Sequence, residues 1–486
     1  MNLVVVSNRV ARAKKDEPLA GGLAAALLPV VKKSGAIWVG AEPRRGARPL
    51  AETFAEIEAL GEGALARVEL PPDHYVRFYE GFANSALWPM LHSRADLIHV
   101  AEEDYRSYQE VNACMARALI RFRKADTAFW VHDYHFLPLG SELRRLGVEQ
   151  PVGFFLHTPF PGRSIVLNLP HHREVVGAML AYDLIGFQTD EDKANFAAYV
   201  ENDLGLPIVG NTVFGEHGGT LLGTFPIGID GDAFAERAVK AFASPQVSRL
   251  RASLQGARLA IGVDRVDYSK GLANRFRAFE RMLQSQPALG GAVSLLQIAV
   301  PSRVEIPAYR ELSAELSALV GEINGRLGEV DWTPIRYLNK GFGQDTLAGF
   351  YRAAHVGLVT PLHDGMNLVA KEYIAAQNPL DPGVLVLSEF AGAAKQLDPA
   401  LLVNPHDIDG MARAIAQALS MSRDERLARW NAMFATLKSS SLSSWFSDFV
   451  EALAASAPAR RSKRRTQIAT LTAAPRRIEL SAVQTH

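Results

Sequence analysis

Val359-Thr360-Pro361-Leu362-His363-Asp364-Gly365-Met366-Asn367-Leu368-Val369-Ala370-Lys371-Glu372 reads as an apolar strand that breaks into a glycine turn and restarts as a helix bearing an acid. Such a turn aims free backbone N–H groups and the positive helix end beyond the sheet edge, which favours phosphate. Asp364 stands at the mouth of the turn. Glu372, eight residues on, is expected about two turns inside the helix and on roughly the same side. One acid can then meet a sugar while the other meets a ribose. Working outward, Gly262-Val263-Asp264-Arg265-Val266-Asp267-Tyr268-Ser269-Lys270-Gly271 follows another apolar strand and offers Arg265 and Lys270 for phosphate neutralisation. The combination points to a nucleotide-sugar site.

The same strand-then-helix rhythm runs through the chain. Short apolar runs occur at 3–7, 36–39, 128–131, 152–157, 184–187, 259–263, 293–298, 356–360 and 383–388, with longer helical patterns between them. Runs with little alternation mean strands covered on both faces, and intervening helices mean parallel crossovers. The fold class is therefore α/β, a doubly wound pattern that occurs twice. The seam is expected near Pro226 to Pro245, where Pro226-Ile227-Gly228-Ile229-Asp230 ends a strand. This divides the chain into 1–235, 236–440, a helix at 441–456 that folds back on the first domain, and a basic, disordered tail at 457–486. Ligands of open parallel sheets bind beyond the carboxyl ends of the strands. The polar clusters all occupy that position.

Composition restricts the partners. At 486 residues the chain exceeds what one core supports, so two domains are expected. A formal charge of zero and a pI near 7.3 give no support for a nucleic-acid or membrane partner and favour a small ligand. Cys114 is the single cysteine, so no intramolecular disulfide can form and a reducing compartment is indicated. The opening Leu3-Val4-Val5-Val6 is a strand pattern without the features of a signal peptide, and no apolar run approaches the roughly 20 residues that span a bilayer. The expected location is cytoplasmic. Arg460, Arg461, Lys463, Arg464, Arg465, Arg476 and Arg477 crowd the tail, read as solvated in preference to polyanion-binding.

The N-terminal half carries a second constellation. Ser7-Asn8-Arg9 ends the first strand, and in Ala20-Gly21-Gly22-Leu23 the glycines let backbone approach a phosphate. Tyr79 and Trp88 put two amphipathic rings beside the Pro89 break. Trp130-Val131-His132-Asp133-Tyr134-His135 and Phe154-Phe155-Leu156-His157-Thr158-Pro159 place polar groups just after buried strands. His132 and His135 lack a third ligand at a recognisable spacing, so no metal is expected there. Asp133 and His157 are better read as hydrogen-bonding sugar hydroxyls.

From Val4 to about Ala454 these segments resemble the trehalose-6-phosphate synthases, glycosyltransferase family 20. The resemblance rests on Ser7-Asn8-Arg9, Leu87-Trp88-Pro89, Trp130 to His135, Asp267 to Gly271 and Asp364 to Leu368. It implies a GT-B fold, two Rossmann-like domains facing a cleft, with acceptor bound by the first and nucleotide sugar by the second. It also implies retaining transfer of glucose from UDP-glucose to glucose 6-phosphate, without cofactor or metal. Carried over, Arg9, Tyr79, Trp88 and Arg303 hold the acceptor phosphate and Asp133 the acceptor sugar. Gly22, Arg265 and Lys270 grip the donor diphosphate, His157 and Asp364 the donor glucose, and Glu372 the ribose. Gly365, Met366, Asn367 and Leu368 form the donor loop, and Ile298 and Phe342 lie near the base. Asp133, His157, Arg265, Lys270 and Asp364 form the catalytic set.

Two positions depart from the family pattern. Ala41 replaces a second tryptophan after Trp38, and His363 replaces the arginine that commonly precedes Asp-Gly, making pH-dependent donor affinity an expectation. The rival readings are another donor nucleotide or a glycerol 3-phosphate acceptor, a sugar-nucleotide epimerase, and a non-catalytic sugar-phosphate sensor. Arg9 and Arg303 count against the epimerase, and the intact Arg265, Lys270, Asp364 and Glu372 against the sensor. A homo-oligomer is left open.

Overall fold

A computed structural model describes residues 2–10, 22–53 and 55–456. The basic tail, Gly21 and positions 11–20 lie outside the described residues.

The N-terminal domain holds β1 (Asn2–Ser7), β2 (Ile37–Pro43), β3 (Ala55–Leu60), β4 (Gly63–Leu70), β5 (Thr127–His132), β6 (Val152–Phe155), β7 (Leu184–Phe187), β8 (Ile208–Val209), β9 (Thr212–Gly215) and β10 (Gly218–Thr224). They form a ten-stranded sheet of order β3-β4-β2-β1-β5-β6-β7-β10-β9-β8. Its centre is parallel, while β3 with β4 and β8 to β10 close the two edges with antiparallel pairs. β5 is buried at every position, as its unbroken apolar run requires. The second sheet contains β11 (Arg258–Arg265), β12 (Val293–Val300), β13 (Ile335–Leu338), β14 (Val356–Val359), β15 (Val384–Ser388) and β16 (Leu401–Val403). Its order β13-β12-β11-β14-β15-β16 is parallel throughout, the Rossmann arrangement.

Each sheet reverses its winding at one place, between β1 and β5 in the first and between β11 and β14 in the second. A buried Arg275 pins the second crevice: it donates to Asp264 Oδ2 at 2.5 Å, Gln297 Oε1 at 2.9 Å and Thr360 Oγ1 at 3.0 Å, tying β11, β12 and the end of β14 together.

The crossover differs in detail from the sequence expectation. The strand ends at Thr224, and 225–230 is irregular. The helix Gly231–Phe242 packs on the helices Gln344–Ala353 and Leu368–Ala376 of the second domain, so position 235 falls inside a helix belonging to that layer. Lys371 on Leu368–Ala376 ties the crossover down, its buried Nζ donating to Ile227 O and Gln396 Oε1, both at 2.6 Å. Burial pushes this ammonium down to about 7.

A helix over 442–456 returns the chain to the N-terminal sheet. Trp445, Phe449 and Leu453 are buried there, with Phe449 stacked on Trp130 at 4.6 Å and Trp445 edge-on to Phe155 at 5.2 Å. Gly153 and Gly186 make this approach feasible, because a Cβ at either would lie within 2.9 Å of the Phe449 ring.

Candidate active site

Both winding reversals carry the residues singled out from sequence. Arg9 follows β1 and Asp133 follows β5; Arg265 closes β11 and the Asp364 loop follows β14. The two crevices face each other, and side chains from the two domains interlock.

On the N-terminal side, Arg9 donates from Nε to Tyr75 Oη at 3.1 Å and its guanidinium lies 4.9 Å from the Tyr79 ring centre. Tyr79 stacks on Tyr75 at 5.5 Å and on His135 at 5.7 Å. Tyr79 rides on a π-helix, Arg77–Leu87, which hands the chain to Trp88. Such wide turns concentrate at functional sites. Ala41 lies in β2, its N–H donating to Asn8 O at 2.9 Å and so backing the Arg9 turn. Gly22 opens the helix Gly22–Ser34.

Trp88 meets the second domain. Arg303 lies 4.0 Å from the centre of its ring and the more exposed Arg265 at 5.8 Å. The buried Arg303 donates from Nη1 to Asp267 Oδ2 at 2.7 Å and Tyr309 Oη at 2.8 Å, and from Nη2 to Tyr134 Oη of the opposite domain at 3.3 Å. Burial alone would weaken the guanidinium as a cation, but Tyr134, Tyr309 and Asp267 outweigh it and raise Arg303 well above its usual range.

Asp133 adopts φ 75°, an uncommon backbone for a residue with a side chain, and accepts His157 N–H at 3.4 Å. Burial pushes its carboxyl up to about 6, restrained by the Tyr134 and His157 N–H groups and by Arg265 and Arg303. His132 Nδ1 and His157 Nε2 are 3.0 Å apart, both rings held neutral by burial, His157 down to about 3. His132 Nε2 is buried without a partner. A buried orphan lone pair is tolerated better than a buried orphan N–H, so the proton is assigned to His132 Nδ1, leaving His157 with an Nδ1–H donor. His135 stacks on Tyr79 and does not join them. Among the described residues, no group of three or more His, Cys, Asp or Glu converges to hold an ion.

The glycine turn seats directly on this face. A Cβ at Gly365 would stand 2.1 Å from His157 O, so only glycine lets the two domains meet here. Lys270 Nζ donates to Asp364 Oδ2 at 2.5 Å and Asn367 Nδ2 to the same oxygen at 3.0 Å. Burial works against an ionised Asp364, yet Lys270 beside it holds the carboxyl below its usual value. Met366 is buried and Leu368 half-buried, the latter opening the helix Leu368–Ala376. Glu372 therefore lies about one turn into the helix rather than two. Burial pushes its carboxyl up to about 7 against hydrogen bonds with Gln344 and Tyr351 and the charge of Arg237. Phe342 is half-buried edge-on to Phe350 at 5.4 Å, whereas Ile298 is wholly enclosed in β12 and presents no surface. His363 makes an interdomain contact, Nδ1 to Ser93 Oγ at 3.2 Å, and burial pushes its pKa down.

Sequence reasoning passed over Asp267, which is 1% exposed and accepts from Arg303, Tyr309, Ser269 N–H and Trp88 Nε1. Its partners Arg303 and Trp88 stand 36 and 179 positions away, so no local spacing announces them. Tyr134 likewise carries no signal of its own beyond its place between Trp130 and His135. The available signal for Asp267 was a polar residue just past an apolar strand, the same signal that singled out Arg265.

Residues 2–455 match the description of glycosyltransferase family 20. The trehalose-6-phosphate synthase of Sinorhizobium fredii (strain NBRC 101917 / NGR234) is 44% identical over 457 residues, covering 93% of this chain and 98% of that protein. The crystal structure of a UDP-forming alpha,alpha-trehalose-phosphate synthase from Burkholderia xenovorans in complex with glucose-6-phosphate superposes with a TM-score of 0.90 at 43% identity, covering 93% of this chain and all of the other. An E. coli structure bound with UDP-2-fluoro glucose gives a TM-score of 0.87 at 38% identity over 93% of this chain and 99% of its own. The two facing Rossmann-like domains are thus the GT-B architecture.

Proposed function

The chain belongs to glycosyltransferase family 20, and from that premise we propose that it is a UDP-forming alpha,alpha-trehalose-phosphate synthase: a retaining enzyme that moves glucose from UDP-glucose to glucose 6-phosphate. The observation that carries the reading is the seating of the Asp364-Gly365 turn on His157, which joins the crevice at the end of β14 to the cationic, aromatic one opposite. A sugar held at that junction lies between a diphosphate and a second, phosphorylated sugar.

The bond from glucose C1 to the β-phosphate oxygen breaks, and C1 bonds to the anomeric oxygen of glucose 6-phosphate on the same face. The acceptor's proton passes to the departing phosphate oxygen, so trehalose 6-phosphate and UDP leave. Negative charge grows on the diphosphate as the bond breaks, and Arg265, Lys270 and the N–H groups after Gly365 meet it there, stabilising the transition state more than the ground state. Lys270 uses one donor on Asp364 and retains two for phosphate. Asp133, His157 and Asp364 orient hydroxyls, with the His157 Nδ1–H as donor. Glu372 receives the ribose. Arg9, Tyr79, Trp88 and Arg303 enclose the acceptor phosphate, the two arginines supplying charge and the rings its walls. The buried Cys114 and the expected substrates fit a cytoplasmic setting, and no helix of the described residues is long and apolar enough to cross a membrane.

The test is UDP release from UDP-glucose by the purified full chain with glucose 6-phosphate, glycerol 3-phosphate or no acceptor, with chelator present. Release confined to glucose 6-phosphate, with a non-reducing phosphorylated disaccharide as product, is expected. Release with glycerol 3-phosphate alone overturns the acceptor assignment.

A further inference from the structure

We propose that Asp267 is the positioning residue of the acceptor-phosphate site, holding the Arg303 guanidinium by one edge and tying it to Trp88 across the domain boundary. The role rests on the reading of glucose 6-phosphate as acceptor.

Arg303 Nη1 is fully used by Asp267 Oδ2 and Tyr309 Oη, and Nη2 gives one hydrogen to Tyr134 Oη. Nε is buried with no partner at all. The unfilled edge is thus the one formed by Nε and the second Nη2 hydrogen, two parallel donors in the geometry that takes an oxyanion bidentately. Asp267 selects that edge by occupying the opposite one. Arg303 also sits at φ 50°, in the left-handed region that a side-chain-bearing residue keeps only where its surroundings impose it. The ion pair with Asp267 is the charged restraint in those surroundings.

Asp267 is itself fixed on both oxygens. Oδ1 receives Ser269 N–H at 3.0 Å and Trp88 Nε1–H at 3.4 Å; Oδ2 receives Arg303 and, at 3.3 Å, the Tyr309 hydroxyl. Trp88 belongs to the first domain and Arg303 to the second, so one carboxylate sets the distance between the aromatic wall and the cation. The phosphate grip is then complete only where the domains meet. Charge alone would argue against an acid here, because a carboxylate beside an anion site weakens its attraction. The two roles therefore predict opposite signs on removal of the charge: a pure charge effect tightens acceptor binding, and loss of positioning weakens it.

The experiment compares wild type, Asp267→Asn, Arg303→Ala and the double variant of the full chain, reading KM for each substrate and kcat. Asp267→Asn is expected to raise the glucose 6-phosphate KM at least about tenfold, leaving the UDP-glucose KM within about twofold. In the Arg303→Ala background the same change is expected to give no further rise, because the guanidinium it positions is gone and only the relief of repulsion remains. An unchanged or lowered acceptor KM, an equal rise in donor KM, or multiplication of the two single effects overturns the role. Should Asp267→Asn fail to fold by circular dichroism, Tyr309→Phe removes only the hydroxyl shared by Arg303 and Asp267. It is expected to raise the same KM several-fold, and no change overturns the proposal. A wild type without glucose 6-phosphate-dependent UDP release refutes the acceptor reading and this role with it; an active wild type with an indifferent Asp267→Asn refutes this role alone.

Discussion

Lys270 and Glu372 present opposite electrostatic situations within one crevice. Lys270 is paired, its Nζ 2.5 Å from Asp364 Oδ2, and in the proposed reaction its remaining donors meet the charge that grows on the diphosphate. Lys270→Ala should therefore lower kcat by about 10²–10³-fold, the cost of deleting one preorganised donor to a developing anion. UDP-glucose binding, read by calorimetry, should change far less, and an unaltered kcat would remove Lys270 from the chemistry. Glu372 is desolvated, its carboxyl raised to about 7. In its proposed role Glu372 meets the ribose, whose hydroxyls donate to a carboxylate more strongly than to a neutral acid, so donor binding is expected to favour the ionised form and release a proton. The sign follows: affinity rises with pH and levels off above the folded-state value. With that value near 7, the donor KM should fall about tenfold between pH 6 and pH 8. Glu372→Gln should flatten the profile; a variant with the same slope would assign the titration elsewhere. His363 is a poor alternative source, since burial pushes it down, away from neutral pH.

The helix over 442–456 shows how an element far along the chain completes the first domain. Phe449 is fully buried, packed on Trp130, Phe155 and Phe225, with Gly153 and Gly186 giving it room. Phe449→Ala should cost about 3–5 kcal/mol, as for other large buried aromatics. Urea unfolding followed by tryptophan fluorescence should show the first transition moved to lower denaturant, and an unmoved midpoint would mean the helix contributes no stability to this sheet. Elements of this kind mark the limit of sequence reading. The runs at 128–131 and 293–298 were legible as strands because both faces of β5 and β12 are covered, leaving no polar alternation to confuse them. β3, Ala-Glu-Ile-Glu-Ala-Leu, was not, because an edge strand is mostly solvated and its glutamates hide the apolar signal. The wide turns of Arg77–Leu87 were equally hidden: Asn84 and Ser85 donate to the carbonyls five residues back, Tyr79 and Glu80, a pairing that no apolar periodicity signals. Among the candidate site residues, Arg265, Asp133 and Asp364 were singled out because they stand at the ends of apolar strands, whereas Asp267 is defined by partners from distant segments.

At the scale of the whole molecule, the proposed activity needs two domains brought together, and Gly365 probes that approach. Its φ is not in the left-handed region, so alanine fits the turn's own backbone. The obstacles to a Cβ are His157 O at 2.1 Å and the carbonyl carbons of His157 and Thr158 at 3.0 Å, all on the opposite domain. Backbone atoms of a buried strand end cannot swing aside as a flexible side chain can. Gly365→Ala should therefore fold, since the strain lies between domains and is relieved by their separation. The same separation lengthens the Ser93–His363 and Trp88–Asp267 contacts and withdraws Arg303 from Tyr134. A displacement of about 1 Å between reacting groups costs on the order of 10²-fold in rate, so kcat/KM should fall by at least that factor while the unfolding midpoint stays near wild type. Small-angle scattering gives the direct check: Gly365→Ala should be less compact than the wild type, with and without UDP and glucose 6-phosphate. Full activity with normal compaction would show that the His157 turn yields to the added methyl, and the glycine would then belong to the loop's assembly rather than to the meeting of the domains.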